Sequence, residues 1–232
     1  TGRKAKVVIH EADVPFLRSR RTHVEEYLQG RGRYINDPQG EARLSAACLA
    51  AISGEMEPDV IVRDGDELSL GADLRIRVHS VPGHSAGSVA YEVIGQGDVF
   101  VGDAVQIHGA ANGFPGYVDP DAYRVSLRHL RDTVQPERLF LGHPYRSQGE
   151  APLGVVLNRQ QAADKIQESL DIEARVRHAV VEVGADAGDI AQALCSPYCC
   201  IAEALLYEGD PRLEPSPFFT TMHGYFNQGY RS

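Results

Sequence analysis

The chain reads as an α+β protein, and three observations carry that reading. Short β-like runs alternate with turns as far as Leu141, and apolar residues return at helical spacing after Val155. A glycine-bearing seam at Gly149–Gly154 separates the two regimes. The organisation expected is a sheet-bearing region over 1–150 and a helical module over 151–232.

Lys6-Val7-Val8-Ile9-His10 and Val60-Ile61-Val62 are short strands of β-branched residues. Asp64-Gly65-Asp66 is a turn before Glu67–Leu70, and Leu74–His79 alternates apolar and polar residues. Val89–Ile94 and Val99–Val101 flank Gly95-Gln96-Gly97-Asp98, a hairpin connection. Asp119-Pro120 predicts a helix start, with Asp as cap and Pro in the first turn. Tyr123, Leu127 and Leu130 give that helix one apolar face, and Leu139–Leu141 is the next strand. Beyond the seam, a helix is expected from Val155 to about Val183, then shorter ones at Asp189–Leu194 and Ile201–Tyr207. The tail from Pro211, rich in Pro, Phe and Gly, reads as irregular structure, and Phe218, Phe219, Tyr225 and Phe226 are read either as lining an acyl pocket or, in preference, as closing the core.

Composition excludes several classes. The 232 residues are 43% apolar and 24% charged, the balance of a globular chain rather than a disordered one. No apolar run approaches the roughly 20 residues of a membrane span, and Thr1-Gly2-Arg3-Lys4 has no signal-like apolar stretch. A net charge of −9 opposes nucleic acid as a partner. Cys48 stands apart from the trio Cys195, Cys199 and Cys200. The four read as reduced thiols of a cytoplasmic protein, not as a disulfide framework or a structural zinc site.

Chemistry gathers where three strands stop. Pro82-Gly83-His84-Ser85-Ala86-Gly87-Ser88 follows one, Gly102-Asp103 a second, and Gly142-His143-Pro144 a third. Each fragment alone is a common turn. In order, however, they place an imidazole, a carboxylate and an imidazole beside glycines that let the backbone turn sharply. These are the usual donors of a hydrolytic zinc ion.

Those residues resemble the metallo-β-lactamase superfamily, in its glyoxalase-II-like branch, over Val7–Tyr145. Val8–Asp13, Val81–Ser88, Val101–Asp103 and Leu141–His143 carry the likeness. The resemblance implies an αββα sandwich in which His84 binds the first metal, Asp103 bridges both, and His143 binds the second. It implies two Zn2+ ions, with Fe or Mn as alternatives. It further implies a hydroxide of lowered pKa that attacks a thioester, ester or lactone carbonyl. The family's His-x-His-x-Asp-His motif has no counterpart here. The expectation is therefore a longer native chain that supplies this motif and the sandwich's first strands, with a metal-free scaffold as the alternative. A nucleic-acid-processing member of the superfamily is the other alternative.

The expected partner is a small acyl substrate, with no nucleic acid or membrane and with a possible homodimer. Asp103 is the candidate catalytic residue. The loop Gln106–Val118, with Asn112, Phe114 and Tyr117, is read either as a lid or as a plain connection. His10 reads as structural, and His108 either reaches the pocket or lies at the surface.

Overall fold

A computed structural model describes residues 5–28, 38–109, 114–146, 153–190, 197–207 and 217–230. The chain forms two compact units, Thr1–Arg63 and Asp64–Ser232. The expected boundary at 150/151 falls outside the described residues.

In the first unit β1 (Val8–His10) and β2 (Val60–Val62) pair in parallel, Val8 opposite Val60. Parallel strands need a long crossover, and α1 (Val14–Arg18), α2 (Arg20–Leu28) and α3 (Pro38–Ala51) lie within it. A single turn at Glu11–Asp13 joins β1 to α1, and His10 Nδ1 accepts from the Ala12 amide at 3.3 Å. The structural reading of His10 agrees with that bond.

The second unit is built on a six-stranded sheet whose order follows the chain. Its strands are β3 (Glu67–Gly71), β4 (Leu74–Ser80), β5 (Val89–Val93), β6 (Asp98–Gly102), β7 (Arg138–Leu141) and β8 (Val156–Asn158). All pairs are antiparallel except β6 with β7. That parallel step is made by α4 (Pro120–His129), extended by one wider π-type turn over Leu130–Val134. Asp119 caps α4, its Oδ1 accepting from the Ala122 amide at 2.8 Å.

Alternation along the strands divides the sheet into two faces. Val99, Leu139 and Leu157 stand opposite one another on one face and are buried, as are Val101 and Leu141. Tyr123, Leu127 and Leu130 and, from α5 (Arg159–Ile190), Ile166 and Leu170 complete the apolar core, with α5 packed on α4, β7 and β8. On the other face Phe100 pairs with Phe140 and Phe140 with Val156. The two rings stack at 4.3 Å, and Phe100 remains 45% exposed.

The helical module differs from expectation in three places. Val156–Asn158 is a strand rather than the start of a helix, since it closes the sheet against β7 before α5 begins. Asp189 and Ile190 are the end of α5, not a separate helix, and 191–194 lie outside the described residues. The tail is not irregular: α7 (Pro217–Asn227) follows α6 (Pro197–Ala204). Phe218, Phe219, Met222, Tyr225 and Phe226 recur at helical spacing and are all buried. The core role expected of these aromatics holds.

Candidate metal centre

His84 sits in the turn leaving β4, and that turn is pinned from both sides. Gly83 has φ +140, and a Cβ there would lie 2.5 Å from the Tyr123 Cα. Only glycine permits this approach of the turn to α4. The Gly83 carbonyl accepts the amides of Val118 and Asp119 at 2.7 and 3.0 Å, and Ser126 Oγ donates to the Pro82 carbonyl at 2.7 Å. Within the turn Ser85 and Ser88 are joined through their hydroxyls at 3.0 Å.

Asp103 follows β6 and His143 follows β7, neighbours in the sheet; β5 lies between β4 and β6, so the three strand ends are not all adjacent. Gly142 lets β7 end against β6, since a Cβ at that position would meet Asp103 Oδ1 at 2.8 Å and the Gly102 backbone at 2.9 Å. The three expected site residues come together. His84 Nε2 lies 3.6 Å from Asp103 Oδ2, and His143 Nε2 lies 3.4 Å from Asp103 Oδ1. His84 and Asp103 are each about a third exposed, and His143 about half.

The other ring nitrogen of His84 lies 2.7 Å from the Gly116 carbonyl. That short contact requires a proton on Nδ1, so in the neutral ring it is Nε2 that carries the lone pair facing Asp103 Oδ2. In that form the two groups are acceptors suited to share a cation. Donors on a tetrahedral zinc ion stand about 3.3 Å apart, from bond lengths near 2.0–2.1 Å, close to both separations seen here. The donor set therefore fits a divalent metal at either carboxylate oxygen. Among the described residues no group of three His, Cys, Asp or Glu side chains stands ready to coordinate one ion, and each pair here supplies two donors.

Two neighbours of the site belong to no sequence motif. Tyr145 donates its hydroxyl to Asp103 Oδ1, and burial followed by that bond and the Asp103 charge pushes its pKa well up. Gln106 lies beneath the site, its Nε2 donating to the carbonyls of Asp103 at 2.9 Å and Gly116 at 2.6 Å. Its closeness to Asp103 in the chain is the only hint the sequence offers.

The loop Gln106–Val118 is no open surface where it is described. Phe114 and Tyr117 are buried, and Thr221 of α7 accepts from the Tyr117 amide at 3.1 Å and donates to the Pro115 carbonyl at 2.8 Å. Asn112 lies outside the described residues. His108 faces Glu168 of α5 at 3.9 Å and is 17% exposed.

A model of the metallo-beta-lactamase superfamily matches residues 1–143. A hydroxyacylglutathione hydrolase of Synechocystis is 38% identical over 93 residues, 37% of this chain and 34% of the relative. A cytoplasmic hydroxyacylglutathione hydrolase of Arabidopsis thaliana is 26% identical over 140 residues, 59% of this chain and 52% of the relative. The chain thus spans about a third to a half of these curated relatives. Among solved structures, a metallo-beta-lactamase family protein of Thermus thermophilus superposes with a TM-score of 0.62 at 18% identity. That likeness takes in 97% of this chain and 67% of the other, and it shows the fold. The α+β class and the metallo-beta-lactamase fold expected from the motifs are both shown.

Proposed function

Because the chain belongs to the metallo-beta-lactamase superfamily, we propose that it is a metal-dependent hydrolase of small acyl compounds. A thioester of the hydroxyacylglutathione type is the first substrate class, and esters and lactones follow. The observation that carries this reading is one carboxylate with an imidazole Nε2 at each of its oxygens, His84 at Oδ2 and His143 at Oδ1.

His84 and Asp103 Oδ2 would hold one cation and His143 and Asp103 Oδ1 a second, with Zn2+ first in expectation and Fe or Mn also suited to such donors. A metal of this kind lowers the pKa of bound water and polarises a carbonyl. The chain's own residues set the stage for that chemistry. The Gly116 carbonyl orients the His84 ring, and the Tyr145 hydroxyl steadies Asp103 Oδ1. Asp103 is the catalytic residue of this proposal, because its one carboxylate faces both imidazoles and would serve both cations.

The test pairs elemental analysis with hydrolysis of a hydroxyacylglutathione, a simple ester and a lactone. Asp103→Ala and His84→Ala are each expected to lower metal content and abolish hydrolysis. Full activity in Asp103→Ala overturns the proposal.

A further inference from the structure

We propose that Gln106 is the positioning residue of this centre: one buried amide fixes the His84 ring and the Asp103 backbone together, aiming both donors at a common point. The inference rests on the metal-site reading above and deepens it.

Gln106 is 6% exposed, and its amide has a single consistent orientation. Oε1 accepts from the Gly116 amide at 2.8 Å, which leaves Nε2 facing the Asp103 carbonyl, the Gly116 carbonyl and His84 Nδ1 at 2.9, 2.6 and 2.9 Å. An amide nitrogen has two hydrogens. If one went to His84 Nδ1, that nitrogen would be an acceptor 2.7 Å from the Gly116 oxygen, two lone pairs in contact. The hydrogens therefore go to the two carbonyls, and His84 Nδ1–H donates to Gly116. Gln106 holds Gly116 by both its N–H and its C=O, one in each of the two peptides that flank the residue, so the carbonyl oxygen is kept facing His84. The same side chain ties the backbone of Asp103 at the other end.

The backbone after Gln106 is arranged around this task. Ile107 has φ +52, in the left-handed region that β-branched residues avoid. It is fully buried, and its amide donates to Ser169 Oγ of α5 at 3.2 Å. A strained, enforced turn next to a buried amide with no free hydrogen is what a fixed support requires.

The experiment records ring-nitrogen NMR of His84 in the whole metal-free chain at mildly alkaline pH, with Zn2+ affinity measured by competition with a chromophoric chelator. The wild type is expected to show the Nδ1–H tautomer alone. Gln106→Met, of similar length but without the amide, is expected to show mixed tautomers and Zn2+ affinity lowered roughly 10–100-fold, as loss of an outer-shell partner does. Val180→Ala, a core deletion on α5, is expected to lower the melting temperature and move neither readout. An unmixed tautomer with unchanged Zn2+ affinity in Gln106→Met overturns the assignment. If that variant does not fold, Gln106→Asn is too short to reach the Gly116 amide and Asp103 carbonyl together; an unmixed tautomer there overturns the assignment equally. If the wild type binds no Zn2+ while its tautomer still depends on Gln106, the positioning role stands and the metal reading falls.

Discussion

Tyr145 shows how a buried neighbour conditions the candidate centre. Burial, then the bond to Asp103, raises its pKa from the ordinary 10.0. A raised phenol keeps its proton to higher pH, so Tyr145 stays a donor to Asp103 across any neutral or mildly alkaline range. Its contribution to stability is complete below pH 10.0 and declines only as pH climbs beyond that value. Tyr145→Phe is expected to reduce hydrolysis several-fold while leaving the alkaline limb of the pH–rate profile where it is in the wild type; a shifted limb would count against this role. His84, Asp103 and His143 were legible because each follows a strand and sits beside glycine. Tyr145 and Gln106 were not, because a hydrogen bond across forty-two residues or a folded-back amide has no periodicity or motif to betray it.

Among the elements, α4 and the turn that abuts it carry the sharpest local requirements. Gly83→Ala would drive a methyl group into the Tyr123 backbone at a strained φ. It is expected to destabilise the protein by more than about 2 kcal/mol and to weaken metal binding by shifting His84. Gly154 has open space around it, so Gly154→Ala should stay within about 0.5 kcal/mol of the wild type. Asp119→Ala removes the α4 cap and is expected to cost about 1 kcal/mol. Urea titration of the three variants checks this ranking. The cap at Asp119 was readable from its Asp-Pro pair. The strand Val156–Asn158 was not, since three residues beside a long helical pattern give too little alternation to register. The helix Pro217–Asn227 was obscured by the prolines and glycines around its apolar face.

At the scale of the whole molecule, the sequence resolved the α+β class and the gathering of three donors, while the bonds from the last helix to Pro115 and Tyr117 came only from the structure. In the second unit, β3 to β6 each pair with the strand just before or after them, so the sheet assembles through short loops. The contact from the Tyr117 amide to Thr221 Oγ1 spans 104 residues. Loop closure of that reach is slow and entropically costly. The order of events expected from this is that strand pairing leads and the segment around Gly116 locks last. Thr221→Val is expected to accelerate unfolding in stopped-flow measurements while leaving the refolding rate nearly untouched, the signature of a bond absent from the transition state. A refolding chain would then regain its sheet before it regains the backbone bonds on either side of Gly116, whose carbonyl meets the His84 ring.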